Sequence, residues 1–199
     1  IYAQLTAFGE GEERPAFDVV LQAEAGFLYM TGEPERDPVK MPVALIDLLA
    51  AHQLKEGILL ALLRRERTGR GAYVTASLLE SAIASLANQA TNWLMARHVP
   101  QRMGAMHPNI APYGDIFYTK DGKPVVVAVG TERQFQSLCR CLSIPALAEH
   151  PNFATNAARV RHREALRERL APHFARFDRQ ALLDLLLAED VPAAGIRTM

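Results

Sequence analysis

Apolar and polar positions follow two periods along this chain, and the changes of period mark its elements. Ile1–Phe8 reads as a strand, after which Gly9 and Gly11 open a charged loop, Glu10–Arg14. Over Phe17–Met30 the apolar residues Val20, Ala23, Phe27 and Met30 recur at helical spacing. Thr31–Pro42 is rich in proline and charge and reads as a loop. A long helix follows from Asp47 to Arg67, with Leu48, Leu49, Ala51, Ile58, Leu59, Leu62 and Leu63 giving a broad apolar face. Its last turn carries Arg64, Arg65 and Arg67, where the helix dipole favours cations, and Thr68-Gly69-Arg70-Gly71 is a stop. Ala72–Ala76 reads as a short strand. Ser77 and Glu80 have the spacing of a capping box, which opens a helix running to Arg97. Strands and helices in this order, joined by short loops, indicate an α/β layer.

The pattern then changes. Val99–Tyr113 holds three prolines and few aliphatic residues, the mark of a connection. Asp115–Thr119 and Lys123–Val129 flank Lys120-Asp121-Gly122, and Asp-Gly between β-prone runs predicts a hairpin. Helices are predicted over Glu132–Leu142, Ala158–Phe177 and Asp178–Glu189, with Val191–Ile196 extended. The expected organisation is therefore a large domain over 1–98, a linker over 99–113 and a smaller α+β domain over 114–199.

Composition narrows the function classes. The 199 residues carry 22 Lys plus Arg against 22 Asp plus Glu, and 49% are hydrophobic. That balance excludes wholesale disorder and lacks the basic footprint of a nucleic-acid or anionic-membrane binder. No run approaches the roughly 20 apolar residues of a membrane span. The first residues show no secretory pattern, and the cytoplasm is the expected compartment. The chain begins without Met, within an apparent strand, and is expected to be part of a longer protein. Cys139 and Cys141 fit neither a redox nor a zinc spacing and are expected to pack as inert thiols.

Most motifs of known chemistry are missing. Gly9-Glu-Gly11 and Gly69-Arg-Gly71 do not extend into a dinucleotide fingerprint, and there is no phosphate loop or nucleophile elbow. The six histidines never pair as H-x-x-x-H with a Glu between, and neither His98 nor His107 has a carboxylate or cysteine at ligand spacing, so no metal site is expected. Asp47 stands out because it lies in Pro-Val-Ala-Leu-Ile-Asp-Leu-Leu-Ala-Ala, the most apolar neighbourhood of any carboxylate here. Two compatible readings follow: a cap on the following helix, or a desolvated nucleophile toward a thioester carbonyl. Asp18, beside Pro15-Ala-Phe-Asp-Val-Val, is a second candidate, as a helix-start charge or an acid–base partner. The cluster Arg64, Arg65, Arg67 and Arg70 reads as a solvated helix end before it reads as a phosphate site.

Several stretches, in order, resemble the class III coenzyme A transferases, the group that includes formyl-CoA transferase, carnitine CoA-transferases and α-methylacyl-CoA racemase. They are Ile1-Tyr-Ala-Gln-Leu-Thr-Ala-Phe-Gly with Arg14-Pro-Ala-Phe-Asp18, then Met30-Thr-Gly-Glu-Pro34, then Asp47 ten residues before Gly57. Arg64-Arg-Glu-Arg-Thr-Gly-Arg-Gly71 and Val74-Thr-Ala-Ser-Leu-Leu-Glu80 continue the match. Gly104-Ala-Met-His-Pro-Asn-Ile-Ala-Pro-Tyr113 and Pro151-Asn-Phe-Ala-Thr-Asn156 complete it.

The resemblance implies part of a Rossmann-like large domain joined to a smaller α+β domain, in dimers whose chains interlock. It implies an enzyme that moves CoA from an acyl-CoA to a carboxylic acid, with Asp47 as the covalent nucleophile. Asp18 and Phe17 would line the active site, Ala16 and Phe17 the CoA site, and Gly104, His107 and Asn109 a covering loop. Coenzyme A and its thioesters would be substrates, with no permanently bound cofactor. Racemases of the group carry His immediately before the residue matching Asp18; here that position is Phe17, which has no titratable proton. Transferase is therefore expected over racemase or epimerase. A non-catalytic acyl-CoA-binding or dimerisation module is the alternative from another class.

Overall fold

Two parallel strands cannot be joined by a tight turn, and the first unit of this protein is built around that constraint. A computed structural model describes residues 1–199, which divide into compact units at Ile1–Gly104 and Ala105–Met199. In the first, β1 (Tyr2–Thr6) pairs in parallel with β2 (Tyr73–Ser77), Tyr2 opposite Tyr73 and Thr6 opposite Ser77. The crossover between them carries α1 (Asp18–Glu24), α2 (Phe27–Met30) and α3 (Leu45–Thr68). After β2 come α4 (Leu78–Ala84) and α5 (Ala87–Ala96).

Two predicted helices are broken. Gly26, at φ 84°, separates α1 from α2, and Ala87, at φ 50°, marks the break between α4 and α5. Neither break interrupts the apolar periodicity, which is why the pattern read through both. The helix α3 begins two residues before the expected start, and Gly69 ends it, donating its N–H to the Arg65 carbonyl. Gly57 lets α3 approach the sheet, since a Cβ there would stand 2.7 Å from the Val74 side chain. At β2 the capping box is altered: Ser77 Oγ accepts from the Glu80 N–H, but the Glu80 carboxylate takes the Ser77 hydroxyl rather than a backbone N–H. The core of this unit is small, with Leu21, Ile46, Ala50, Leu78 and Ala82 at its centre.

The second unit has a three-stranded antiparallel sheet, ordered β3 (Tyr113–Tyr118), β4 (Pro124–Ala128), β5 (Ala193–Gly195). The predicted hairpin turn is present. Thr119 and Lys123 close it by a backbone bond, and Asp121 accepts from the Thr119 hydroxyl at 2.6 Å and pairs with Lys123 at 2.8 Å. The helix α6 (Glu132–Cys141) opens on a full capping box between Thr131 and Gln134. A short 3-10 helix, Pro145–Glu149, precedes α7 (Asn156–Arg161), α8 (Arg163–Phe174) and α9 (Arg179–Ala188). The single predicted helix 158–177 is thus two, divided at His162. The core is larger here, with Phe117 stacked on Phe174 and Phe135, Leu138, Phe153, Leu166, Leu170, Leu182 and Leu186 around them. Cys139 and Cys141 are buried in it as free thiols, and burial pushes the Cys139 pKa up to about 12.

Candidate functional site

A helix start needs acceptors for its first amides, and α3 lacks a local one, because its N-cap residue is Ala44. The acceptor comes from α1. Asp18 Oδ2 takes the Ile46 N–H at 2.7 Å and the Asp47 N–H at 3.2 Å, the second and third residues of α3. Its other oxygen, Oδ1, accepts from Gln22 Nε2 one turn along α1. Gln22 is itself buried, and its Oε1 accepts the Met41 N–H at 2.9 Å. One buried carboxylate and one buried amide therefore fasten the start of α3 and the end of the 31–42 loop to α1.

This arrangement gives the capping role expected of Asp47 to Asp18. Asp47 does not cap α3; it is the third residue of the first turn, and its side chain is exposed. The apolar letters around it belong to residues such as Ile46 and Ala50 that face the core, while Leu48 is half exposed. Asp18 is the buried carboxylate, 8% exposed, and supplies the cap. Partial loss of hydration, and second the neighbouring Asp18 charge, hold the Asp47 pKa above its usual value of 3.8. Gln22 was not a sequence candidate. The only signal for it was its place four residues after Asp18, on the same face of α1.

The other candidates fall as follows. Phe17 is the N-cap residue of α1, and its ring is 81% exposed. Ala16 is partly buried against the first unit's core. Gly104 belongs to the first unit and donates its N–H to the Gly32 carbonyl at 2.9 Å. Beside it Arg102 donates to the Tyr29 carbonyl, and the Tyr29 hydroxyl to Gln101. His107 and Asn109 belong to the second unit, where their stretch is pinned from α7 and α8. Arg163 donates to the His107 and Pro108 carbonyls, Asn156 holds the Asn109 carbonyl and the Ala111 N–H, and Arg159 donates to the Ala111 carbonyl at 2.7 Å. Burial and the Arg163 charge lower the His107 pKa. Asn156, the buried Arg159 and Arg163 thus fasten this stretch, a role that the sequence pattern did not indicate. No group of three or more His, Cys, Asp or Glu side chains is placed to hold a metal ion, and no helix is long and apolar enough to cross a membrane.

Chemically, the first unit offers a solvent-facing carboxylate on a rigidly fixed helix turn. The amides that would ordinarily attract an anion at the start of α3 are already taken by Asp18 and, for Leu45, by the Val43 carbonyl. The first turn of α3 therefore has no free amides of its own for an anion beside Asp47.

Fold and site together define a mixed α/β protein in which one aspartate organises the helix turn that displays another. The chain belongs to CoA-transferase family III, whose model it matches over residues 1–199. It is 35% identical to the succinate–glutarate CoA-transferase of Agrobacterium fabrum, over 100% of this chain and 50% of that protein. Among solved structures it resembles a CAIB/BAIF family protein from Brucella suis, with 38% identity and a TM-score of 0.79 over 100% of this chain and 53% of the other. Rv3272 of Mycobacterium tuberculosis gives a TM-score of 0.85 at 30% identity, again over 100% of this chain and 52% of the other. The chain spans about half the length of the relatives it matches.

Proposed function

We propose that the protein is a CoA-transferase that moves CoA from an acyl-CoA to a carboxylic acid, with Asp47 as nucleophile. The observation that carries this reading is the Asp18 clamp, which spends a buried carboxylate on holding Asp47 open to solvent in the first turn of α3. In the proposed cycle the Asp47 carboxylate attacks the acyl carbonyl and expels CoA thiolate, leaving a mixed anhydride. The thiolate then attacks the aspartyl carbonyl and releases the donor acid, which leaves an aspartyl-CoA thioester. The acceptor carboxylate attacks that thioester and expels CoA thiolate, forming a second mixed anhydride; the thiolate then attacks the acceptor carbonyl, giving the acceptor's CoA ester and releasing the Asp47 carboxylate. A carboxylate suits each step because the bonds made and broken are closely matched in energy.

Asp18 and Gln22 act as positioning residues in this reading, and Phe17 and Ala16 line the CoA side of the site. The name of the Agrobacterium relative points to short dicarboxylic acids as substrates. The same reading makes residues 1–98 part of a Rossmann-like large domain and 114–199 a small α+β domain. It makes the working form a cytoplasmic interlocked homodimer, with CoA thioesters as substrates rather than a resident cofactor. Racemisation would need a second proton carrier, and the exposed phenyl of Phe17 has none.

Incubation with succinyl-CoA and hydroxylamine, followed by peptide mass mapping, tests the proposal. Hydroxylamine attacks an activated aspartyl carbonyl and leaves a hydroxamate, expected on Asp47 and absent from Asp47→Ala. Unmodified Asp47 in protein that binds CoA, across succinyl-, glutaryl- and acetyl-CoA, would overturn the covalent mechanism in favour of a binding module.

A further inference from the structure

The second unit carries a cavity of about 480 Å³ that the proposed reaction does not use, set between α8, the segment Ser143–Leu147 and His150. Its volume lies within the roughly 300–1,000 Å³ common for small-molecule sites. One wall is apolar, from Ile144, Pro145, Ala146 and Leu147. The other brings together Arg169, His150 and His173, and no carboxylate lines the space.

Each of these three side chains has hydrogen-bonding capacity left over. Arg169 lies with its guanidinium carbon 5.8 Å from the Phe153 ring centre, and it makes no ion pair or hydrogen bond within the chain. His150 accepts the Asn152 N–H on Nδ1 at 3.1 Å, so a neutral ring there carries its proton on Nε2. His173 stands four residues after Arg169, on the same face of α8, and its Nδ1 is buried without a partner. A histidine in the last turn of α8 is favoured by the helix dipole, and an arginine against Phe153 by ring stacking. Those preferences account for each residue separately. They do not account for all three side chains lining one acid-free cavity.

We infer that this cavity binds a small organic anion, with its carboxylate or phosphate head on Arg169, His150 and His173 and its apolar body against Ile144, Pro145 and Leu147. The planar guanidinium matches either head group through two parallel N–H bonds. The wall opposite excludes a bare inorganic ion as the preferred ligand, because such an ion would leave apolar surface wet.

The test is a titration of the 199-residue chain with butyl phosphate, pentanoate, inorganic phosphate and the neutral pentanamide. The histidine side-chain NMR signals report binding. The expected result is a saturable shift of the His150 and His173 signals with butyl phosphate, pentanoate or both, and none with pentanamide. A response to only one organic anion identifies the head group and upholds the site. Arg169→Gln should weaken binding about tenfold or more, the loss expected when a charged hydrogen-bonding partner is removed. Arg169 is exposed, so this variant should keep its unfolding midpoint, and Arg161→Gln, which is outside the cavity, should keep its affinity. No saturable shift with either organic anion, a response confined to inorganic phosphate, or binding unchanged in Arg169→Gln would overturn the inference. These readouts do not depend on acyl transfer, so they stand apart from the test of Asp47.

Discussion

Asp18 serves three N–H donors with two oxygens, and that count sets what a substitution does. Asparagine keeps one acceptor oxygen and turns the other into an NH2 group. That group would face either the α3 amides or the Gln22 amide, and turning Gln22 to suit it would release the Met41 N–H. Asp18→Asn therefore strands at least one buried donor, at about 1–3 kcal/mol. Urea unfolding should show a loss of that size, against almost no change for Phe17→Leu, whose ring is exposed. The Asp47 pKa has a consequence of the opposite sign. Because it is raised in the folded protein, the contribution of Asp47 to stability is full below its unfolded pKa, near 3.8, and is lost as pH rises through the folded value. Asp47→Asn should accordingly raise the melting temperature at pH 7, and the gain should vanish below pH about 3.8. The same direction places the acid limb of hydroxamate formation above that of an ordinary aspartate. A gain that persists at pH 3 would show that something other than this charge is responsible.

At the scale of elements, close approach decides the outcome more than propensity does. Gly57 lies inside α3, where alanine would normally stabilise a helix by about 1 kcal/mol. Here the added methyl meets Val74 at 2.7 Å. Gly57→Ala is therefore expected to cost about 1–3 kcal/mol through overpacking, and Val74→Ala in the same chain should recover most of it. Calorimetry of the two single variants and the double variant measures the coupling directly. Arg159 gives the counterpart in the second unit. It is fully buried, donates to the Ala111 and Phe153 carbonyls, and lies 4.4 Å from the Phe135 ring. Arg159→Met leaves both carbonyls without that donor, and amide exchange around residues 107–113 should accelerate even under conditions where α9 stays protected. These two residues also show what could be read in advance. The strands, the turn at Asp121-Gly122 and the stop at Gly69 were legible, because local chemistry fixes each of them. The breaks at Gly26, Ala87 and His162 were not, because the apolar rhythm runs through them. Of the two readings open to Asp47, the cap falls to Asp18 instead, because the acceptor for Ile46 comes from 28 positions earlier, a separation that no local pattern encodes.

For the molecule as a whole, the two units differ in how well each covers its own apolar surface. The second buries a continuous cluster from Phe117 to Val191. The first leaves Leu48, Leu59, Leu60 and Leu63 of α3 more than half exposed, together with Leu94 and Met95 of α5. It also presents a two-stranded sheet whose residues Tyr2, Leu5 and Tyr73 remain accessible. Scattered exposed leucines are ordinary, but a run of them along one helix beside a short sheet is the kind of surface that associates. The 199-residue chain is therefore expected to self-associate, with a sedimentation coefficient that rises with concentration. Replacing Leu60 and Leu63 by Glu should reduce that rise without lowering the unfolding midpoint, since neither side chain contributes to the core. A chain that stays monomeric at all concentrations would remove the link between this face and assembly. Association unaffected by the double substitution would shift the contact to α5 or to the sheet, which Leu94→Glu and Leu5→Glu would then separate.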